Sequence, residues 1–133
     1  MFLLDTNTCI RLLNRTHPNI LKRYRRASPS EISVCSIVKA ELLYGARHSK
    51  AVETNLRRLS LFFSPLSSLS FDDRCAEEYG QIRADLSVQG KLIGPNDLMI
   101  GAIARAHDAI LVTHNVGEFS RVTGLRIEDW EVL

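Results

Sequence analysis

The chain has 133 residues, of which 45% are apolar and 24% charged, and its formal net charge is +2. This balance is typical of one globular domain, here residues 1–133, that is long enough to bury a core. No apolar run approaches the length of a membrane span, and Asp5 interrupts the first apolar stretch, so we expect neither a membrane segment nor a signal peptide but a cytoplasmic protein.

Charge is distributed unevenly along the chain. Residues 1–66 carry 11 Lys or Arg against 4 Asp or Glu, whereas residues 67–133 carry 6 against 11. A basic half suits a phosphate backbone and indicates a nucleic acid partner. The alternative is that the basic residues of the segment 18–26 only solvate one helix.

The first half of the chain predicts two strands and four helices. Apolar runs at 2–4 and 32–35 predict strands. The helices are predicted at 6–14, 18–26, from an N-cap at Ser36 to about Arg47, and from about Ala51 to Phe63. In the first helix the predicted inward residues are Cys9, Ile10, Leu12 and Leu13.

The second half predicts three strands and two long helices. Strands are predicted at 66–69, 110–112 and within 125–130. A long helix opens at Asp72 or Asp73 and closes at Gly90, with Ala76, Tyr79, Ile82, Arg83 and Leu86 predicted on its inner face. The helix after Gly94-Pro95-Asn96-Asp97 is apolar nearly all round, which predicts a place in the middle of the domain. A short turn or helix holds Glu118.

Alternating apolar strands and helices predict an α/β fold with a central, mainly parallel sheet flanked by helices. Ligands of such sheets bind outside the carboxyl ends of the strands. Asp5 and the segment 113–115 both follow predicted strands. We therefore expect them to meet in space.

Four acids lie where the apolar pattern does not favour them: Asp5, Glu41, Asp97 and Glu118. Clustered carboxylates raise each other's pKa, and a hard divalent cation such as Mg²⁺ or Mn²⁺ removes that cost. Each acid also has a simpler interpretation. Asp5 fits a helix cap and Asp97 a first helical turn, whereas Glu41 and Glu118 fit exposed surface positions.

Other kinds of site find little support. Cys9, Cys35 and Cys75 are odd in number, widely spaced and in apolar stretches, which indicates buried free thiols in a reducing compartment. The four histidines show no zinc-ligand spacing. The sequence has no Walker-type phosphate loop, no Gly-x-Ser-x-Gly elbow and no credible Cys/His pair.

Four segments together carry a family resemblance: Leu4-Asp5-Thr6-Asn7, Glu41-Leu42-Leu43-Tyr44-Gly45, Gly94-Pro95-Asn96-Asp97-Leu98-Met99-Ile100 and Thr113-His114-Asn115-Val116-Gly117-Glu118-Phe119. In this order they resemble PIN-domain ribonucleases, and more narrowly the VapC toxins of bacterial VapBC toxin–antitoxin modules. The resemblance spans the whole chain.

The resemblance implies a toxic endoribonuclease that depends on Mg²⁺ or Mn²⁺. Asp5 and Asp97 become the principal metal ligands, and Glu41 becomes the third acid. Glu118 would orient a water or a second ion, with Thr6 and Asn115 as supporting polar groups. Family members commonly carry Asn, or Asn then Asp, where this chain has His114-Asn115, which leaves Glu118 to supply the charge there.

The resemblance also implies partners. They are an RNA substrate, with the initiator tRNA anticodon stem-loop as the suggested target, and a cognate VapB-like antitoxin that covers the active site. A homodimer, a larger hetero-oligomer with the antitoxin, and binding of operator DNA through the antitoxin are further expectations.

Two alternatives remain open at this point. One is a catalytically inactive PIN scaffold that binds RNA or protein, although all four acids are present. The other is a haloacid-dehalogenase-like phosphatase, which also places an Asp after its first strand. That class needs a second Asp two residues later, where this chain has Asn7.

Overall fold

The computed structural model describes residues 1–132. Within these residues, five strands and seven α-helices follow one another in the predicted order. The strands are β1 (Phe2–Leu4), β2 (Ile32–Cys35), β3 (Ser67–Leu69), β4 (Ile110–Val112) and β5 (Arg126–Glu128). The helices are α1 (Thr6–Asn14), α2 (Pro18–Arg26), α3 (Ser36–Arg47), α4 (Val52–Phe63), α5 (Asp73–Val88), α6 (Pro95–Ala106) and α7 (Val116–Phe119).

The five strands form one parallel sheet in the order β3-β2-β1-β4-β5. Strand β1 lies at its centre, with Leu3 and Leu4 fully buried. Parallel pairing requires a crossover after each strand, and the helices supply it. The predicted α/β architecture is therefore confirmed, and the carboxyl ends of β1 and β4 are adjacent.

Helix α6 is the most buried helix, as its composition predicts. Leu98 and the five residues 100–104 are all buried. Helix α5 packs against α6 along a narrow stripe made by Cys75, Ile82 and Leu86. All three cysteines are buried and free, which confirms that part of the prediction.

Several predicted orientations are wrong. Ile10 is 40% exposed because it points into a surface cavity rather than the core. Ala76 and Arg83 are exposed on α5, where the buried stripe is one residue wide per turn. Ser36 is the first residue of α3, and Cys35, in extended conformation, precedes it as the cap.

No helix within residues 1–132 is both long and apolar enough to cross a membrane.

Candidate active site at the carboxyl end of the sheet

Asp5 is held rigidly where β1 ends. Its backbone N–H donates to the carbonyl of Val112 at 3.1 Å, which extends the pairing of β1 with β4. Its side-chain Oδ1 accepts from the N–H of Thr8 at 2.9 Å and so caps α1. The residue is only 7% exposed. Asp5 is thus a helix cap, and its buried carboxylate lies at the sheet edge where a ligand is expected.

Burial raises the pKa of Asp5 above its usual value, because a charged carboxylate loses hydration in the protein interior. Hydrogen bonds from Thr113 and Thr8 act in the opposite direction, and the negative charge of Glu131 adds to the rise. The Asp5 carboxylate is therefore poorly hydrated when it is charged, and this favours the binding of a cation.

Glu41 is brought to this edge by Thr6. The hydroxyl of Thr6, the first residue of α1, donates to Oε1 of Glu41 at 2.7 Å. Glu41 lies in the middle of α3 and is half-buried. Because Thr6 directly follows Asp5, this bond places the two acids on the same side of the sheet edge.

Asp97 lies in the first turn of α6, and its pKa indicates that the other three acids are close to it. Its pKa is raised to about 6, first by burial and then by the negative charges of Glu118, Asp5 and Glu41. The structure therefore brings the four sequence-predicted acids into one electrostatic neighbourhood. Their roles stay a prediction, but the expected clustering is present.

Glu118 is positioned by the residue that precedes α7. The side-chain amide of Asn115 donates to Oε2 of Glu118 at 3.0 Å, and its backbone N–H donates to the hydroxyl of Thr113 at 3.0 Å. Thr113 is fully buried. Asn115 thus links the end of β4 to the fourth acid.

Two further acids, which the sequence pattern did not single out, lie beside the site. Oδ2 of Asp129 accepts from Nδ1 of the His114 ring at 2.9 Å, and Glu131 lies within 3.5 Å of Arg11, His17 and His114. Both follow β5, as Asp5 follows β1. Their position after a strand could have identified them as site residues, but only if it were known that β5 lies beside β4.

A small cavity joins these residues to Asp5. Its volume is about 200 Å³, and it is lined by Asp5, Asn7, Arg11, His114, Asn115 and Glu131. The three groups His114, Asp129 and Glu131 could offer ligand atoms within 4.8 Å of one another, as could Asp72 and Cys75 at the start of α5 with His107 at the end of α6. The second group lies apart from the four acids.

The residues at the sheet edge fit a divalent cation. Among residues 1–132, the ion pairs involve other acids, and none neutralises Asp5, Glu41, Asp97 or Glu118. The atoms that these four acids offer to an ion are all carboxylate oxygens, which hard divalent ions prefer as ligands. The pKa of Asp97 is raised first by burial and then by the repulsion of the neighbouring acids, which no counter-charge offsets.

Comparison with known proteins shows which family the chain matches. The family model described as the PIN domain matches residues 2–125. The chain is 42% identical over 129 residues to the "tRNA(fMet)-specific endonuclease VapC" of Salmonella typhimurium, covering 97% of each chain. It is 39% identical over 133 residues to "Ribonuclease VapC2" of Rickettsia felis, covering 98% of each.

Solved structures give the same result. The DNA-bound VapBC of Salmonella typhimurium matches with a TM-score of 0.91 at 42% identity, over 97% of each chain. The VapBC2 of Rickettsia felis, bound to a promoter DNA fragment, matches with a TM-score of 0.90 at 38% identity, over 97% of this chain and 98% of that one.

Proposed function

The chain belongs to the PIN-domain family and within it to the VapC ribonucleases, and on this basis we propose that it is the endoribonuclease toxin of a toxin–antitoxin module. It hydrolyses phosphodiester bonds of RNA and is neutralised by a VapB-like antitoxin. The observation that carries this proposal is the convergence of three other acids, Asp5, Glu41 and Glu118, on Asp97. Their presence argues against an inactive scaffold, and the family match argues against a phosphatase.

The cofactor of the proposed reaction is Mg²⁺ or Mn²⁺. Asp5, Asp97 and Glu41 would hold it. When bound, such an ion lowers the pKa of a water and offsets the negative charge that develops on the phosphate. The products expected from hydrolysis carry a 5′-phosphate and a 3′-hydroxyl.

The protein's own contribution is to fix the acids before substrate arrives. The hydrogen bond that caps α1 orients the carboxylate of Asp5, and Thr6 orients Glu41. Asn115 holds Glu118, which we assign to orienting the attacking water or a second ion. Because Asn115 is neutral, this side of the site carries one charge less than an aspartate there would give.

The proposed substrate is RNA, with tRNA as its class. Lys22, Arg25 and Arg26 on α2 are exposed and available to phosphates. Arg23 is not, because it pairs with Glu128 at 2.6 Å and lies over Trp130. The name of the Salmonella relative specifies tRNA(fMet), so we propose the anticodon stem-loop of initiator tRNA as the first target to test.

The proposed assembly follows the relatives whose structures contain both VapB and VapC with DNA. We propose a homodimer of this chain, a larger complex with a cognate antitoxin, and binding of operator DNA through that antitoxin. The complex would act in the cytoplasm, where its RNA substrate lies.

The test is induced expression of the wild type and of Asp5→Ala or Asp97→Asn, followed by mapping of cuts in total tRNA. We expect growth arrest and a discrete cut with the wild type only. Asp85→Asn, on the exposed face of α5, is the matched control and should remain toxic. Equal toxicity of all variants would exclude the acid cluster as the active site.

A second measurement separates the enzyme from an inactive scaffold. Purified wild type should bind Mn²⁺, and binding should be lost in Asp5→Ala and Asp97→Asn but kept in Asp85→Asn. Absence of Mn²⁺ binding by the wild type would favour the scaffold.

A further inference from the structure

A second cavity opens beside the acids, between α1, α3 and α6. Its volume is about 670 Å³, within the range of sites that hold small organic ligands. Glu41 and Thr6 form its end nearest the candidate active site. Asn7, Ile10, Tyr44 and Asn96 also line it.

This cavity borders two other cavities along α1. It shares Asn7 with the cavity that contains Asp5, and it shares Ile10 and Glu41 with a third cavity of about 290 Å³. The third cavity ends at Arg58, which is exposed. A chain of nucleotides could therefore run along α1 with its phosphates passing the acids.

Tyr44 is the aromatic residue in this path. It is 68% exposed, so it contributes little to the core. Its ring stacks on that of His48, with centroids 5.6 Å apart and planes 11° from parallel. The two residues are one helical turn apart, which presents a flat, supported aromatic face to the cavity.

We propose that Tyr44, supported by His48, is the stacking platform for the nucleobase next to the scissile phosphate. This inference rests on the proposed function. Tyr44 is three residues after Glu41 on the same helix, and side chains at this spacing start about 5–6 Å apart. A base stacked on Tyr44 thus belongs to a nucleotide whose phosphate is within reach of the acids.

The cavity combines apolar side chains, which are Ile10, Ile37, Ala40 and Met99, with polar ones, and a nucleobase likewise has apolar faces and polar edges. The exposed amides of Asn7 and Asn96 offer both donors and acceptors for base edges. An aromatic face combined with such groups is how proteins hold unpaired bases of RNA loops. The platform would therefore require that the cut site be single-stranded.

The test uses RNA hairpins that carry 2-aminopurine at each loop position in turn, with Ca²⁺ in place of Mg²⁺ so that binding is measured without cleavage. Stacking quenches the fluorescence of 2-aminopurine. We expect quenching at one loop position with the wild type and with Tyr44→Phe. Tyr44→Ala should lose the quenching and bind the hairpin roughly tenfold or more weakly.

The control is Leu61→Ala, since Leu61 is 71% exposed on α4 and lies outside the path. It should behave as the wild type in both readouts. In cleavage assays with Mg²⁺, Tyr44→Ala should raise KM far more than it lowers kcat, because stacking holds substrate and transition state alike. His48→Ala should show the same pattern more weakly.

Three outcomes would overturn the inference. If the wild type cuts RNA and Tyr44→Ala binds the hairpins equally well, Tyr44 is not the platform although the proposed function stands. If Tyr44→Ala loses only antitoxin binding, the face belongs to the protein partner. If the wild type neither binds nor cuts any of the hairpins, both this inference and the proposed RNA substrate fail.

Discussion

The hydroxyl of Thr6 donates to the carboxylate of Glu41 at 2.7 Å, across 35 residues of sequence. It is the direct side-chain link between the helix that follows the central strand and the helix that carries the third acid. The position of Glu41 therefore depends on a residue that has no acidic or basic chemistry of its own.

We expect Thr6→Val to weaken Mn²⁺ binding by about 10- to 100-fold, the usual cost of removing a partner that orients a metal ligand. Val has nearly the same shape, so the fold should be unchanged. Titration calorimetry measures the affinity, and Thr6→Ser, which keeps the hydroxyl, is the control. Wild-type affinity in Thr6→Val would show that Glu41 needs no such support.

Stability should depend on pH through Asp97. Its pKa is raised from 3.8 to about 6, so the folded state binds more protons than the unfolded state between these values. Ionised Asp97 therefore destabilises the folded state. This destabilisation is absent below about pH 4, grows through pH 6 and is complete above it.

Asp97→Asn removes this effect. In metal-free buffer at pH 7 it should be more stable than the wild type by about 1–2 kcal/mol, after allowance for solvent screening of a half-buried group. The difference should vanish near pH 4. Urea unfolding at both pH values measures it, and a difference that did not change with pH would contradict the assignment.

Divalent ions should reverse that order of stability. Wild type at an Mn²⁺ concentration about 100 times its dissociation constant should gain about 2.7 kcal/mol, because the ion binds the folded state alone. Asp97→Asn and Asp5→Ala should gain little. Thermal unfolding with Mn²⁺ and with EDTA tests this, with Asp85→Asn as the control that should respond like the wild type.

The exposed basic residues of α2 should contribute sequence-independent affinity for RNA. Replacing Lys22, Arg25 and Arg26 by Gln should weaken binding of every RNA similarly. The slope of log affinity against log salt should fall by about 0.7 for each lost contact with a single strand. Arg58→Gln offers a comparison from the other end of the path along α1. An unchanged slope would exclude α2 from the interface.

Local pattern predicted most of the fold. Alternating apolar strands, the Pro-marked starts of α2 and α6 and the all-apolar face of α6 are each determined by neighbouring residues, and the structure agrees with them. Orientation was predicted less well. Ile10 and Arg83 fit an inward helical spacing, but α1 borders a cavity and α5 packs chiefly against α6.

The candidate site was also predicted only in part, because sequence pattern shows local features but not which strands are neighbours. The four acids interrupt apolar stretches, and that is visible in one dimension. Asp129 and Glu131 lie in a polar segment, where acids are ordinary. Only the position of β5 beside β4 brings them to the sheet edge, and strand order is a property of the whole chain.

The central place of β1 has a consequence for synthesis of the protein. Thr8 donates to the carbonyl of Val112, which is 104 residues further along, and Asp5 pairs with the same carbonyl through its N–H. The first acid made by the ribosome therefore has no final position until nearly the last strand has emerged. A chain that ends before β4 lacks the backbone partner of Asp5, and we expect the acid cluster to form only after β4 has been synthesised.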